Sequence, residues 1–531
     1  MGYLGQTFNY DCSKVGMSAN PNNDAIPPES IIYPSKNINL NLGGIGKRGG
    51  TSVYNSAQIS GSVSVYGYDL ILRNNNQFML AGTSDGKIVT VNSSGISATL
   101  KTGLTSGKVF NFSQMNNVAY ICNGANIPQI WDGSAGSTTD IANIPTDWTG
   151  ISFPQQMVKH GWGNSEEMWA FGCSSNPNTI YISADNNGTE ADFSDQNVTL
   201  IYIETGDAYG IVGGIEFQSR LLAFGKKRTF IIDDSNIDRS FWGYAAAGWE
   251  GGVATHRLIV KTDNDVVCMM EDGQIYSVIA AQSAGDYKRA SLTIPSYMHV
   301  WIQNNVDLSQ IAKFHGIYDP VLRAIKFFVV RTGFSQPTTA LVYFIDRPPE
   351  KAWVVHEGTL GASGYSASSS WLRQVSTGVF AIYTGDSDGK VWRLETINKN
   401  DNNVGYYAGI KSPDLTFENS RYDKFFNSMR VVAQAMGNYN LHINLYLDGV
   451  LQNLTPLTMN LSGAGSILDT GRLDTGANSP FVLGGIQLID SSTGAGLKGK
   501  RLAFEIFSNT ANQDFFLSRV MIDYRMLGAK V

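Results

Sequence analysis

Charged side chains are scarce in this sequence: Asp, Glu, Lys and Arg together make up 16% of its 531 residues, against about 25% in an average soluble protein. Acidic residues outnumber basic ones by 45 to 39, which gives a formal net charge of −6. This balance argues against a broad basic face that would grip nucleic-acid phosphates. The four cysteines have no metal-like spacing, and a chain of this length needs no disulfide staples, so we expect buried free thiols.

Long hydrophobic runs are also missing, because no segment approaches the roughly 20 apolar residues of a membrane-spanning helix. The sequence begins without a positively charged region followed by an apolar run, so we expect no secretory signal. The initial Met-Gly resembles a myristoylation motif, but Gln6 stands where that motif needs Ser or Thr. We therefore expect a soluble protein made in a cytoplasm.

Glycine and aromatic residues are abundant instead, with 56 Gly, 24 Tyr and 25 Phe. Such a composition is typical of many short strands joined by tight turns. Three Asp-Gly pairs, at positions 85–86, 272–273 and 388–389, are each flanked by apolar strand-like segments. Asp-Gly is a strong hairpin signal because both central turn residues must tolerate a positive φ. A fourth hairpin is predicted to turn at 225–227.

The predicted hairpins recur at a similar interval. Corresponding positions are 86, 131, 181, 229 and 273, and the next is 389, which leaves room for two more units plus an insertion. A period of about 40–50 residues with four strands per unit is the pattern of a β-propeller blade. We therefore predict an all-β protein in which residues 53–397 form a β-propeller of six or seven blades.

The two ends of the chain have a different character. Residues 1–52 are rich in proline and asparagine, which favours an extended N-terminal arm. An Asn-rich linker at 397–405 precedes further alternating strands, separated by a Gly/Ser/Asn-rich stretch at 462–497. We predict that residues 398–531 form a C-terminal β-sandwich domain.

Two segments match the Gly-x-Ser-x-Gly motif of serine hydrolases, at 82–86 and 385–389. A hydrolase nucleophile lies on a turn from a strand to a helix, beside an oxyanion hole. Both segments here lie between predicted strands, at equivalent places of two repeats. A duplicated turn explains them better than a duplicated nucleophile, so we predict no serine hydrolase.

The run Gly43-Gly44-Ile45-Gly46-Lys47-Arg48 resembles a phosphate-binding loop. That motif needs Gly four residues earlier than the Gly-Lys pair and Ser or Thr after the Lys. Asn41 and Arg48 stand at those two positions, and no helix pattern follows. We interpret the run as a connection between strands with a basic tip.

An oxygen-rich cluster, Asp185, Asn187, Glu190 and Asp192, offers ligand types that suit calcium. The spacing of an EF-hand is absent, and an Asn-Gly surface turn explains the segment equally simply. We therefore predict no metal site here.

Histidine and carboxylate pairs give no clearer site. No two of the six histidines, at positions 160, 256, 299, 315, 356 and 442, are within four residues of each other, so no helix carries a zinc-binding pair. Glu166 and Glu167 lie between Trp162 and Trp169, where core packing is the simplest role, although such residues could also bind or cleave sugars. We predict no catalytic, cofactor-binding or metal-binding residue and no cofactor.

Several stretches resemble the β-propeller tail-hub or nozzle proteins of short-tailed bacteriophages. They are Gly46-Lys47-Arg48-Gly49-Gly50, RLLAFGKKRTFIIDD, DNDVVCMMEDGQIYSV after a Gly-Trp-Glu-Gly-Gly insertion, GDSDGKVWRLE and the final KGKRLAFEIFSNTANQDFFLSRVMIDYRM. No single motif among them is diagnostic, and the resemblance rests on their order along most of the chain.

The resemblance implies a non-enzymatic virion protein of the tail, assembled in the host cytoplasm. It implies a homo-oligomeric ring, often six-fold, beneath the portal and head–tail adaptor, with fibres, spikes or a needle below. The lumen would pass DNA without sequence-specific binding. Two alternatives stay open: a carbohydrate-binding or carbohydrate-cleaving propeller, and a fibre or receptor-binding protein of the same virus.

Overall fold

The computed structural model of the protein describes residues 5–22, 25–41, 43–72, 76–134, 136–161, 166–184, 190–280, 287–358, 363–452, 455–462, 481–488 and 497–527. Nearly all regular structure in these residues is antiparallel β-strand. The N-terminal segment contributes β1 (Gln6–Asp11), β2 (Ile38–Asn41), β3 (Gly44–Lys47) and β4 (Gly50–Val53).

Seven four-stranded antiparallel sheets follow along the described chain, and they make the protein a β-propeller. The first four sheets are β5–β8 (Val65–Ile71, Gln77–Thr83, Lys87–Asn92, Gly95–Lys101), β9–β12 (Asn111–Met115, Val118–Cys122, Gln129–Trp131, Thr139–Asp140), β13–β16 (Gln156–His160, Glu167–Phe171, Thr179–Ile182, Thr199–Tyr202) and β17–β20 (Ile211–Phe217, Arg220–Gly225, Arg228–Asp233, Gly243–Glu250). The others are β21–β24 (Ile259–Lys261, Val266–Met269, Ile275–Ala280, Tyr287–Ser291), β25–β28 (His315–Asp319, Ala324–Val329, Thr339–Phe344, Trp353–Glu357) and β29–β31 (Ser369–Ser376, Val379–Gly385, Val391–Thr396) with β4.

The ring of sheets closes on itself. The first strand of each sheet contacts the first strand of the next, and β29 of the seventh sheet contacts β5 of the first. β4 pairs with β31 as the outermost strand of the seventh sheet, so a segment from before the first sheet completes the last one. Ring closure leaves each sheet face packed against a neighbour, which is how four-stranded units without a core of their own become stable.

The Asp-Gly turns join the second and third strands of their sheets, as the sequence predicts. Only the glycines are left-handed, with φ of +82° at Gly86, +81° at Gly273 and +73° at Gly389. The aspartates keep an ordinary φ, so the expectation that both central residues need a positive φ is wrong. In three-residue hairpin loops of this kind, a single glycine follows a type I turn.

One helix interrupts the repeat. α1 (Met298–Asn305) lies between the fifth and sixth sheets, and the long interval before the last Asp-Gly turn contains this helix and the whole sixth sheet, which has no Asp-Gly turn between β26 and β27. Short 3-10 helices occur at Cys12–Lys14, Arg239–Phe241, His256–Leu258, Leu308–Lys313 and Pro349–Lys351. No helix among the described residues is long and apolar enough to span a membrane.

Two further sheets follow the propeller. Their strands are β32 (Ala408–Lys411), β33 (Lys424–Gln434), β34 (Asn440–Leu447), β35 (Val450–Leu451), β36 (Leu457–Asn460), β37 (Phe481–Gln487), β38 (Leu497–Gly499), β39 (Leu502–Ser508) and β40 (Phe516–Met526). One sheet contains β32, β39, β34, β35 and β36, and the other is built on β33 and β40. The two share buried aromatic side chains: the rings of Tyr10 and Phe504 meet edge-on with centroids 5.1 Å apart.

The N-terminal segment, predicted as an extended arm over 1–52, lies along both parts of the molecule: β1, β2 and β3 join this C-terminal unit and β4 completes the propeller. β1 pairs with β40 along its whole length, from Gln6 opposite Tyr524 to Asp11 opposite Arg519. β3 pairs with the beginning of the same strand, and β2 pairs with β3. The pairing covers backbone groups of β40 that would otherwise form an open sheet edge.

Candidate functional site

The first strands of the propeller surround a central cavity of about 260 Å³. Its walls come from widely separated parts of the chain, in the first, second, third, fifth, sixth and seventh sheets. They are formed by Tyr66, Gly67, Tyr68, Phe110, Asn111, Phe112, Gln156, His256, Arg257, Ile259, His315, Gly316, Ser369, Ser370 and Trp371. No carboxylate occurs among these described lining residues, although a glycoside-cleaving propeller would need a facing pair.

Arg257 supplies the positive charge of the cavity. The 3-10 helix His256–Leu258 places it there, and its backbone N–H donates to Oγ1 of the capping Thr255 at 3.1 Å. Its guanidinium donates to the carbonyl oxygens of Lys313 (3.5 Å) and Ser368 and lies 5.6 Å from the centre of the Tyr66 ring. Burial without a charge partner lowers the pKa of Arg257 to about 10.

Histidines lie beside this arginine in their neutral form. His315 is 2% exposed and stacks on Phe328 with ring centroids 4.8 Å apart. Burial and the neighbouring Arg257 lower the pKa of His315 well below its ordinary value, and they lower that of His256 to about 3. Neither ring nitrogen of His315, nor Nε2 of His256, makes a hydrogen bond of good geometry.

The seventh sheet contributes Trp371, whose side chain is 5% exposed. Its indole packs on the backbone of Gly67, where any Cβ would overlap the ring. Nε1 of Trp371 and Oγ of Ser370 are buried without a hydrogen-bond partner. These two polar atoms lie behind the cavity wall, and Arg257 is the one charged side chain among the described lining residues.

A second cluster of polar residues joins the third and fourth sheets. Nε2 of His160 is 2.7 Å from Oδ2 of Asp234, and Nδ1 is 3.2 Å from Oε2 of Glu216. The imidazole is 1% exposed and meets Trp169 edge-on at 5.4 Å. The hydrogen bonds and charges of these two carboxylates outweigh desolvation by burial and raise the pKa of His160 to about 9.

We expect the stability of the protein to depend on His160 at alkaline pH. Since its folded-state pKa lies above the ordinary value of 6.5, the protonated form stabilises the fold fully below that value. This contribution, roughly 3 kcal/mol, is lost as pH rises through about 9. Urea unfolding at pH 6.5 and pH 10 should show this loss in the wild type and not in His160→Gln. A His442→Gln control should lose as much as the wild type, and an equal loss in His160→Gln would contradict the assignment.

Of the two neighbouring carboxylates Glu166 and Glu167, only Glu167 joins this second cluster, through Trp169. Glu167 accepts a 2.6 Å hydrogen bond from Arg239 and a 3.2 Å hydrogen bond from the indole of Trp169. Glu166 instead pairs with Lys159 at 2.6 Å, so the two neighbouring carboxylates do not share a site. Trp169 is fully buried and stacks on Trp242, which agrees with the core-packing role that the sequence favours. Trp162 lies outside the described residues.

Comparisons with known proteins find the propeller fold and nothing narrower. No protein-family model matches the chain, and no curated protein matches it. Among solved structures, the β-propeller domain of Cps50 (Swd1) from Myceliophteria thermophila is 11% identical, covers 65% of this chain and 99% of its own, and has a TM-score of 0.43. The N-terminal part of BBS1, solved in complex with ARL6, is 9% identical with 67% and 98% coverage and a TM-score of 0.41. The WD40 propeller domain of Doa1 is 11% identical with 65% and 97% coverage and a TM-score of 0.38.

The two Gly-x-Ser-x-Gly segments are turns between strands, as predicted. The first joins β6 to β7 and the second joins β30 to β31, which are equivalent places in two sheets. Oγ of Ser84 accepts a 2.9 Å hydrogen bond from the backbone N–H of Ser64. In the second turn, Asp386 accepts hydrogen bonds from the backbone N–H groups of Asp388 and Lys390, both at 2.8 Å. These contacts shape hairpin loops.

The predicted basic tip at Lys47 and Arg48 is wrong, because both side chains are buried. Lys47 donates to the carbonyl oxygen of Thr510 at 3.0 Å and lies over the Tyr406 ring. Arg48 forms a bidentate ion pair with Asp401, with N–O distances of 2.9 and 2.7 Å. The long-range partners that make burial possible lie more than 350 residues away and leave no local pattern in the sequence.

The oxygen-rich segment at 185–192 is only partly within the described residues, since Asp185 and Asn187 lie outside them. Glu190 accepts a hydrogen bond from the backbone N–H of Ala142 at 2.7 Å. Asp192 accepts hydrogen bonds from Ser194 and Asn197. Across the described chain, no three His, Cys, Asp or Glu side chains group as metal ligands would. All four cysteines are buried free thiols.

Proposed function

We propose that this chain is a structural subunit of a bacteriophage tail that forms a ring-shaped hub or nozzle from several copies, six being the family's common number. In this role it contacts the portal–adaptor complex on one side and fibres, spikes or a needle on the other. The proposal starts from the resemblance of its strand and turn sequences to such proteins. The structural observation that carries the ring is an apolar surface on the outer edge of the propeller.

This apolar surface, the rim patch, lies where the outer strands of the third and fourth sheets meet. It comprises Leu200, Tyr202, Ile237, Phe241 and Tyr244, which are 51%, 61%, 101%, 71% and 36% exposed. Two hydrogen bonds join its parts: Arg239 donates to Oγ1 of Thr199 at 3.4 Å, and the backbone N–H of Glu204 donates to Oη of Tyr244 at 3.0 Å. Several large exposed apolar side chains in neighbouring segments are typical of protein interfaces.

The strand beside the rim patch also has an available edge. β20 pairs with β19, and the other edge of β20 has no strand partner among the described residues. Its sequence, GYAAAGWE, contains neither lysine nor proline, the residues that usually protect an exposed edge. Since a head-to-tail contact between unlike surfaces closes into a ring when the rotation allows it, the rim patch suits one half of such a contact.

The central cavity supports a lumen between copies. Its volume of about 260 Å³ is far too small for a DNA duplex. DNA would therefore pass through the centre of the assembled ring and not through one propeller. The net charge of −6 agrees with a lumen that does not hold DNA, because phosphate binding depends on releasing counterions to cationic side chains.

The proposal predicts that the purified protein forms closed rings that depend on the rim patch. Mass photometry and electron micrographs should show a ring of defined copy number, which should also bind its cognate portal–adaptor complex. Ile237→Asp with Phe241→Ser should convert the ring to monomers, because one charge and one hydroxyl would be buried in an apolar contact.

Ile151 provides the matched control. It is 73% exposed and lies in the connection between the second and third sheets, outside the rim patch. Ile151→Asp should leave the ring intact. A wild-type protein that stays monomeric and does not bind the portal–adaptor complex would refute the proposed function, and dissociation by Ile151→Asp alone would refute the role of the rim patch.

A further inference from the structure

We propose that the rim patch of one copy docks into an apolar groove on the next copy of this chain. The inserted part is the rim loop, residues 234–242, whose exposed apolar side chains are Ile237 and Phe241. The groove lies where the sixth and seventh sheets meet the C-terminal unit. This inference rests on the proposed function, because it assigns the second surface of the contact that builds the ring.

The rim loop connects β19 to β20 of the fourth sheet but is bonded to the third sheet. Oδ2 of Asp234 is 2.7 Å from Nε2 of His160 in β13, and Arg239 donates to Oε1 of Glu167 in β14 at 2.6 Å. A loop that is held in one conformation before it binds loses little conformational entropy on binding. The two bonds lie on either side of Ile237, which the rim loop therefore presents, fully exposed, from an ordered backbone.

The groove has a volume of about 490 Å³, which lies within the range of about 300–1,000 Å³ that binding pockets usually have. Its apolar walls are formed by Val321, Leu322, Val379, Phe380, Ile382 and Ile397. Four of these walls are open to solvent, since Val321, Val379, Phe380 and Ile397 are 70%, 50%, 36% and 92% exposed. An apolar side chain that fills a pocket at the centre of an interface carries much of the binding energy, and Ile237 and Phe241 are suitable anchors of this kind.

Charge in the groove is balanced except at Arg393. The lining carboxylates are paired with cations: Asp319 and Glu395 bind Lys326 at 3.2 and 2.8 Å, and Asp514 binds Lys399 at 3.5 Å. Arg393 also lines the groove, and it forms no hydrogen bond or ion pair with a described residue. Nε is the one buried nitrogen of its guanidinium, so the terminal nitrogens can contact an anionic side chain of a partner.

The rim loop carries the matching charge beside its apolar tip. Asp238 directly follows Ile237, and its side chain is exposed. The carboxylate accepts hydrogen bonds from the backbone N–H and the hydroxyl of Ser240, at 2.9 and 2.7 Å, and no described cation pairs with it. Docking of Ile237 therefore brings Asp238 to the groove that contains Arg393. Opposite charges beside an apolar contact fix its register and disfavour wrong partners.

The two surfaces lie at different places around the propeller, as a ring requires. The rim patch is at the boundary of the third and fourth sheets, and the fourth, fifth and sixth sheets lie between it and the groove. When unlike surfaces meet, every pair of copies keeps one free rim loop and one free groove, so copies add until the ring closes. A rim patch that contacted itself would stop at a dimer.

Complementation between two defective variants tests this contact. Ile237→Asp with Phe241→Ser removes the anchors of the rim loop and keeps the groove. Val321→Asp with Ile397→Asp places two charges in the groove and keeps the rim loop. We expect each variant alone to be monomeric in mass photometry. An equimolar mixture should form a heterodimer of twice the monomer mass and nothing larger, because one intact rim loop and one intact groove meet in it.

Ile151→Asp with Val450→Asp is the matched control. These side chains are 73% and 64% exposed and lie outside both surfaces, so this variant should form the wild-type ring. All three double variants should keep the circular dichroism spectrum of the wild type, because the substituted side chains are exposed. The spectrum separates a loss of assembly from a loss of folding.

Two outcomes would overturn this inference and leave the proposed function in place. One is an intact ring in Val321→Asp with Ile397→Asp. The other is a wild-type ring whose two defective variants form no heterodimer when mixed. A wild-type protein that stays monomeric and does not bind the portal–adaptor complex would instead refute the proposed function, and this inference with it.

Discussion

Arg48→Met is expected to lower the free energy of unfolding by about 3–5 kcal/mol, because it leaves the buried carboxylate of Asp401 without its cation. Both side chains are 0% exposed. The guanidinium uses all five of its N–H donors: Nε binds Asn37, the two terminal nitrogens bind Asp401, and the remaining N–H groups reach the carbonyl oxygens of Gly49 and Glu357. No methionine can replace any of these contacts.

Because of the position of Arg48, losing its ion pair should destabilise both the propeller and the C-terminal unit. Arg48 lies between β3 of the C-terminal unit and β4 of the propeller, and Asp401 lies where the chain returns from β31 to β32. The guanidinium also lies 3.8 Å from the centre of the Tyr406 ring and 4.4 Å from that of Tyr365. The ion pair therefore joins the two segments, β3–β4 and β31–β32, that connect the C-terminal unit with the propeller.

Urea unfolding followed by tryptophan fluorescence measures the effect, and Arg323→Met provides the control. Arg323 also forms a bidentate ion pair, through Nε and one terminal nitrogen to Asp346 at 2.7 and 2.9 Å, but the side chains are 49% and 53% exposed. Its loss should cost less than about 1 kcal/mol. The double variant Arg48→Met with Asp401→Leu should recover part of the stability, since no charge stays buried alone. Equal costs at Arg48 and Arg323 would contradict the argument.

Local patterns in the sequence predict the propeller well because its unit is local. A hairpin such as Gln77–Asn92 contains both strands and its Asp-Gly turn within a short segment, so alternation and turn residues together define it. The repeat of such hairpins then indicates sheets arranged around an axis. The rejected hydrolase motifs follow the same logic, since Ser84 and Ser387 occupy equivalent turns.

Contacts between distant segments account for what could not be predicted. Arg48 and Asp401 are separated by 353 positions, and the sequence around Arg48 does not indicate that a carboxylate lies beside it in the fold. The cavity has the same character, because Arg257 and Ser368, which share a hydrogen bond, lie 111 positions apart. Arg257 stands in the unremarkable segment VATHRLIV, so only the closed ring reveals it as a cation without a counter-charge.

The pairing of β4 with β31, which closes the ring, is another contact between distant segments. The second variant with a large expected loss of stability is at the start of β4. Gly50→Ala should lower the free energy of unfolding by about 3 kcal/mol, the upper end of the usual cost of overpacking, because the new methyl group would meet backbone and not a flexible side chain. An ideal Cβ on Gly50 would overlap the carbonyl oxygens of Asn398 and Asn400. The same glycine donates its N–H to Asn398 at 2.7 Å, so relieving the overlap also breaks the bond that holds β4 in place.

We expect Gly50→Ala to open the seventh sheet locally before it unfolds the whole protein. β4 pairs with β31 through Val53 opposite Trp392 and Ser52 opposite Arg393. If β4 detaches, the amide protons of β31 lose their partners. Hydrogen exchange should therefore accelerate in 391–396, and limited proteolysis should cut between β4 and β5, while the second sheet keeps its protection.

Gly243→Ala is the matched control, because Gly243 also begins the outermost strand of a sheet. Nothing lies within 4 Å of an ideal Cβ there, and its φ is not in the left-handed region. Alanine at this position should therefore be neutral or slightly stabilising. If Gly50→Ala and Gly243→Ala were equally stable, or if exchange rose evenly in all sheets, β4 would not be the strand that closes the ring. The expected contrast follows from local packing, since the two glycines differ in what surrounds them and not in their place along a strand.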